Sequence, residues 1–276
     1  NSWGMWLLTF APLYLIAVPV GLLLLRKVPV KPLEKHDLKP GRYIVSAIIC
    51  IFMMYAGNIL GTIITALLQL LPGISAGNPV LSFATDNALF PKILFMVILA
   101  PVIEEYIFRK QLIDRMHVYG EKLAVITSAL MFGLFHGNLS QLFYAFALGL
   151  VFGFVYLKTG KLRYSIGLHM LINFIGSVVG PFFLEKLAVL DTMETMDMAA
   201  LEPILPWLLG FGAYVLVLIG LAITGLVLLC INKRRVSFAP AELELPKESR
   251  FKTVYMNMGM ILLVIGCVAL IIANVI

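Results

Sequence analysis

Eight long apolar runs leave this chain almost no way to fold in water. They fall at about residues 3–25, 43–71, 89–109, 123–136, 139–157, 164–182, 204–232 and 254–275. A membrane-crossing helix needs about 20 apolar residues. In lipid a backbone N–H or C=O has no water to bond, so each run is predicted to be a helix that satisfies its own backbone. Composition points the same way. Of the 276 residues, 61% are hydrophobic and 13% charged, against about 45–50% and about 25% in soluble domains. The expected fold is all-α: a polytopic membrane protein with about eight transmembrane helices, forming a single membrane domain over residues 1–276. The first run lacks a basic leader and a small-residue cleavage site, so it is taken as a span and not as a signal peptide.

Charge placement orients such a chain. The net charge is +6, but it does not imply a nucleic-acid partner. Nineteen of the 21 Lys and Arg residues lie in four segments, 26–42, 109–122, 158–163 and 233–252, all on one side of an eight-span arrangement. The opposite connections hold only Lys92 and Lys186, with the acidic run Glu185, Asp191, Glu194, Asp197 and Glu202. Basic loops stay cytoplasmic, so both termini are expected outside. The fourth and fifth runs are split by the polar turn Gly137-Asn138-Leu139-Ser140, which predicts a close helical hairpin. Gly57 and Gly61, and Ala145, Gly149 and Gly153, recur every four residues, a spacing that lets helix backbones approach in lipid. Cys50, Cys230 and Cys267 have no metal-type spacing and are expected as buried small hydrophobes.

Within apolar runs an ionisable residue is costly and is a functional candidate by default. Few occur here. Glu104 and Glu105 stand together, His136 ends the fourth run, and His169 shares a helix face with Asn173 four residues on. His36 and His117 sit in charged loops and are expected to be solvated. Neighbouring helical residues point about 100° apart, which separates the two glutamates. Glu105 and Arg109 are i,i+4, the spacing of a same-face ion pair. Glu104 is left without a local partner, and a carboxylate in a low-dielectric cavity suits a general base. An Asn beside a His can hold the ring or bond an oxyanion. The structural alternative, a set of buried polar contacts used as packing glue, stays open at this point. At 1.5 Å per residue, Glu104 stands about 16 Å above Arg115 and His136 about 21 Å above Lys122, with His169 and Asn173 about 9 and 15 Å above Arg163. All four therefore fall in one band near mid-membrane.

Other chemistries are poorly supported. There is no H-E-x-x-H run, and Asp37, Asp86, Asp114, Asp191 and Asp197 all fall in loops or at helix ends, which argues against an aspartyl protease. Gly73-Ile74-Ser75-Ala76-Gly77 matches G-x-S-x-G, but it lies between Pro72 and Pro79 in a loop, without the strand and helix that a nucleophile elbow requires. Ser75 is expected to be inert.

The set Glu104-Glu105-x-x-x-Arg109, Phe132-x-x-x-His136 and His169-x-x-x-Asn173, in this order on successive runs, resembles the CPBP family, the CAAX-protease and bacteriocin-processing (Abi) intramembrane endopeptidases. The resemblance covers about residues 90–180, the expected catalytic core, with flanking spans in 1–89 and 181–276. It implies a helical membrane fold and peptide-bond cleavage in which Glu104 activates water and His136, His169 and Asn173 complete the site. It also implies that Glu105 and Arg109, with Phe132 of the second motif, support that site. The expected partners are membrane lipid and a peptide or protein substrate, and the expected location is a bacterial cell membrane. No metal is expected to be obligatory. If zinc or another divalent ion takes part, Glu104, His136 and His169 are its ligands. The competing non-enzymatic reading is a bacteriocin-immunity or ion/peptide transport protein.

Overall fold

The computed structural model describes residues 2–74, 88–188, 190, 201–243 and 245–274. Each apolar run becomes helical: α1 (Trp3–Leu25), α2 (Pro40–Leu68), α3 (89–116), α4 (Glu121–Phe135), α5 (Leu139–Thr159), α6 (Leu162–Leu187), α7 (Leu205–Asn232), and the pair α8 (Lys247–Tyr255) and α9 (Met258–Ala273), which meet at a 54° bend. No strand occurs among the described residues. Large apolar side chains such as Leu8, Leu24, Leu216 and Leu262 point outward along these helices. That surface, on helices of this length, is that of an integral membrane protein.

By length and apolarity, five helices qualify as spans among the described residues (α1, α2, α5, α6 and α7), or six if the bent α8–α9 pair is one span. The expected count of about eight is therefore not confirmed. The two that fall short have a physical reason. Helix α3 carries Glu104, Glu105, Arg109, Lys110 and Asp114, three of them fully buried. Helix α4, at 15 residues, is only about 22 Å long. Both are sheltered by neighbouring helices, so the protein supplies the polar partners that lipid cannot.

The packing centres on α5, which lies against α2 and α4. Cys50, Ile51 and Met54 of α2 meet Leu148, Phe152 and Val155 of α5, and Leu168 and Ile172 of α6 close the cluster. The small-residue ladders sit at these contacts. A Cβ on Gly57 would lie 2.3 Å from Tyr144 Cα, and one on Gly149 would lie 2.9 Å from Ala129 Cα. The α4–α5 hairpin turns through Gly137, whose φ of 62° is in the left-handed region. It restarts at Asn138, whose side-chain oxygen accepts the Gln141 N–H and caps α5. Cys50 and Cys267 are buried as expected, whereas Cys230 lies on the exposed face of α7; an apolar run in lipid has an outside as well as an inside.

The four basic segments converge at one end of the bundle. Lys31 pairs with Glu242, Lys161 (2.7 Å) and Arg163 with Asp37, and Lys158 with Glu121 (2.7 Å). The hydrogen bond from Lys161, with that from Tyr164, holds the Asp37 carboxyl below its ordinary range. His36 is exposed as expected, but His117 is not simply solvated: its Nε2 bonds the Lys31 carbonyl (2.8 Å), stitching two basic loops together.

Close approach at Gly57 predicts that Gly57→Ala drives a methyl into the α5 backbone and lowers the melting temperature in detergent, by an overpacking cost of about 1–3 kcal/mol. Gly212→Ala in α7, with nothing within 4 Å of the new methyl, should leave stability unchanged or slightly raised.

Candidate functional site

A cavity of about 240 Å³ opens between α1, α3, α4, α5 and α6, and Glu104, His136, His169 and Asn173 all line it. Residues up to 69 positions apart thus face one space (Glu104 to Asn173). In α3 the backbone is α-helical at residues 100–105 and widens into π turns at 93–99 and 106–113. Such turns recur at functional sites because they re-aim side chains. Here they bracket the two glutamates.

Glu105 and Arg109 are both fully buried, and Arg109 Nε donates to Glu105 Oε2 at 3.1 Å. The expected pair is present. Glu105 does more than neutralise Arg109, however. Its Oε1 accepts from His169 Nδ1 at 3.2 Å, while His169 Nε2 lies 3.7 Å from Glu104 Oε2. Glu105 thus reaches the site through His169. The two carboxylates do diverge, but an imidazole carries nitrogens on two edges, and one ring spans both. The Arg109 Nη1 donates to Ser128 Oγ of α4 at 2.9 Å, and Ser128 donates on to the Phe108 carbonyl. The guanidinium lies 4.8 Å from the centre of the Phe132 ring, a cation–π contact in a dry interior. Phe132 also presents its ring to His136 and His169, at 4.9 and 5.5 Å. That is how it supports both rings.

These contacts decide the histidine tautomers. A carboxylate bound to Arg109 can only accept, so His169 Nδ1 carries the hydrogen. A carbonyl oxygen can only accept, so His136 Nδ1, 2.7 Å from the Phe132 carbonyl, carries one too. In the neutral rings each Nε2 is then a lone pair. Asn173 donates through Nδ2 to the Met96 carbonyl of α3 at 2.8 Å. One of its two N–H bonds is therefore spent on holding α6 to α3, and one remains. Glu104 is the carboxylate open to the cavity, its side chain 16% exposed where Glu105 is 0%.

Sequence reasoning passed over several lining residues. Thr9 and Phe10 of α1 form part of the wall, with Phe10 stacked on Phe95 at 5.2 Å. Gln141 and Tyr144 of α5 form another part. The Asn138-x-x-Gln141 spacing of a helix cap was the available signal for Gln141; nothing local marks Thr9 or Phe10. Ser75 lies outside the described residues, as do Asp86, Asp191, Glu194 and Asp197. Two Nε2 lone pairs and a carboxylate are donor types that suit a divalent ion. Among the described residues, no three His, Cys, Asp or Glu side chains are grouped closely enough to hold one.

Comparison with known proteins shows what part of this chain is similar to. Residues 86–175 match the family model of the Rce1-like type II CAAX prenyl endopeptidases, and all seven residues named from the three motifs fall within that stretch. Two curated relatives align over part of the same chain. The membrane-embedded CAAX protease MroQ of Staphylococcus aureus (strain USA300) is 32% identical over 88 residues, 29% of this chain and 36% of that protein. The putative membrane peptidase YdiL of Bacillus subtilis (strain 168) is 32% identical over 80 residues, 28% of this chain and 32% of that protein. The chain thus spans about a third of the length of these relatives. No solved structure matches.

Removing either member of the Glu105–Arg109 pair leaves a bare charge in a dry interior. Glu105→Ala and Arg109→Ala should each destabilise the protein by about 3–5 kcal/mol. The double variant should lose less than the two single losses combined. Unfolding of all three in detergent checks this, and strict additivity would show that the two groups do not interact.

Proposed function

We propose that this chain is an intramembrane endopeptidase that hydrolyses a peptide bond of a membrane-associated peptide or protein, of the CAAX-protease type, using Glu104 as general base. The observation that carries this reading is the shared cavity: one carboxylate open to it, two imidazoles whose other nitrogens are already fixed, and an amide. Glu104 takes a proton from a water whose remaining hydrogen is held by an imidazole Nε2 lone pair of His136 or His169. The hydroxide oxygen attacks the substrate carbonyl carbon, and the C=O electron pair moves onto oxygen. As the C–N bond breaks, the proton on Glu104 passes to the departing amine. The remaining N–H of Asn173 is placed to hold the substrate carbonyl. The Glu105–Arg109 pair keeps His169 in the tautomer this scheme requires, and Phe132 packs against its ring.

The match to the Rce1-like endopeptidases over the same residues supports the reaction class, and the similarity to the CAAX protease MroQ supports a CAAX-type substrate. The convergence of the four basic segments supports a cytoplasmic placement of that end in a bacterial cell membrane, with lipid around the helices. We further propose that no metal is obligatory. An ion held by Glu104, His136 and His169 would supply Lewis acidity, but it would make Glu104 a ligand and leave the water without that base.

Incubating the wild-type protein and Glu104→Gln with candidate peptides, followed by mass spectrometry, tests the reading. Wild type should give defined fragments, and Glu104→Gln should give none while remaining folded. Full turnover by Glu104→Gln would sink the mechanism. Activity should also survive prolonged chelation, with less than one zinc per chain by elemental analysis. One zinc per chain, with chelator-sensitive activity restored by added zinc, would reverse the assignment of Glu104.

A further inference from the structure

Catalysis by this arrangement raises a question of donors. A tetrahedral intermediate carries negative charge on the former carbonyl oxygen, and hydrogen-bond donors aimed at that charge are a large source of rate enhancement. His136 Nδ1 is engaged with the Phe132 carbonyl and His169 Nδ1 with Glu105. Asn173 has spent one N–H on Met96. A further donor in the cavity wall would add to the stabilisation that the remaining Asn173 N–H can give.

A hydrogen-bond chain along α5 leads to one. Asn138 Oδ1 accepts the backbone N–H of Gln141 at 2.9 Å, as the cap of the helix. That fixes which end of the amide faces where: Asn138 Nδ2 must donate, and it does so to the His136 carbonyl (2.9 Å) and to Gln141 Oε1 (2.6 Å). With its oxygen engaged, Gln141 turns its Nε2 toward Tyr144 and donates to the phenol oxygen at 2.7 Å. Every link has one possible direction. The phenol oxygen therefore receives a hydrogen bond from Gln141 and keeps its own hydrogen to give. Tyr144 lines the cavity with Glu104, His136, His169 and Asn173. Its backbone packs closely against Gly57 of α2, and its phenol is held by Gln141. Bonds arranged head to tail also polarise one another, which strengthens the terminal donor.

We infer that Tyr144 is a catalytic residue of this site, its O–H donating to the oxyanion of the tetrahedral intermediate, with Gln141 as the positioning residue that orients the phenol. The inference rests on the endopeptidase reading and extends it to a residue outside the three motifs. No proton leaves Tyr144: the phenol lends a hydrogen bond as charge builds on the substrate oxygen and is unchanged when the C–N bond has broken. The chain begins at the carbonyl of His136, so the cap that ends the α4–α5 turn also sets the direction of the donor.

Steady-state kinetics on one cleaved peptide, with the full chain in detergent or vesicles, tests it using wild type, Glu104→Gln, Tyr144→Phe, Gln141→Met and the Tyr144→Phe/Gln141→Met double variant. Tyr144→Phe keeps the ring and its packing. It should lower kcat about a hundredfold, the scale for loss of one oxyanion donor, while KM stays within about twofold, because the lost interaction exists only in the transition state. Gln141→Met should lower kcat about tenfold with KM likewise unchanged, and it should have no further effect in the Tyr144→Phe background, since it acts only through the phenol. Wild-type kcat for Tyr144→Phe, or a raised KM with kcat intact, would overturn the role of Tyr144 and leave the protease reading standing. Turnover by Glu104→Gln at the wild-type rate would overturn the protease reading and the role of Tyr144 with it. If Tyr144→Phe proves unfolded, Gln141→Met decides the matter, because it leaves the ring in place; an unchanged kcat there overturns the inference.

Discussion

The carboxylate of Glu105 organises the interior of this protein. It has no exposure at all, and a bare carboxylate in such surroundings is prohibitively unstable. Two partners satisfy it: Arg109 at 3.1 Å on one oxygen and His169 at 3.2 Å on the other. The first bond is within α3 and costs little to arrange. The second crosses to α6 and so sets where α6 packs. Arg109 must in turn satisfy its own donors, and its bond to Ser128 with its stacking over Phe132 draws α4 into the same knot. One buried charge thus ties three helices together, in a medium where apolar contacts alone give helices little reason to prefer one neighbour over another.

The knot also has chemical consequences. With Nδ1 of His169 held by Glu105 and Nδ1 of His136 held by the Phe132 carbonyl, both rings turn Nε2 toward the cavity, and neither can flip without breaking a buried hydrogen bond. Catalytic groups work best when their orientation is settled before substrate arrives. Glu104 is the exception within the knot: it opens to the cavity. The two adjacent glutamates differ in role because of their surroundings, not their type. One is enclosed and spent on structure; the other borders a space where water can enter. The π turns on both sides of the pair belong to the same arrangement, since they set the pitch at which α3 presents its polar residues to α4 and α6.

Helix α1 brings an element that the motifs do not describe. Its cavity-lining residues Thr9 and Phe10 close one side of the site, and it is anchored through Trp6 and Phe10 against Phe95 of α3. The three motifs are thus carried by α3, the α4 end and α6, while α1 and α5 complete the walls of the cavity. The α5 wall is polar where the capped turn meets the cavity and apolar below it, where Ala145 and Leu148 line the same space.

Much of this was legible in the sequence alone. Apolar run length decided that the chain is helical and membrane-embedded, because unpaired backbone is intolerable in lipid whatever the tertiary contacts. Scarcity picked out Glu104, Glu105, Arg109, His136, His169 and Asn173, since ionisable and amide groups survive inside apolar runs only with a reason. The i,i+4 spacing found the Glu105–Arg109 pair, because that geometry is local to one helix. What the sequence could not decide was anything that depends on a partner from another helix. His169 bridging to Glu105 and the amide of Asn173 spent on Met96 both rest on how helices are placed relative to one another. The count of about eight spans is not confirmed, because α3 is too charged and α4 too short to qualify by length and apolarity. Spacing along a chain carries the physics of one helix at a time, whereas the orientation of a proton on a buried ring is set by whatever the fold brings to its far side.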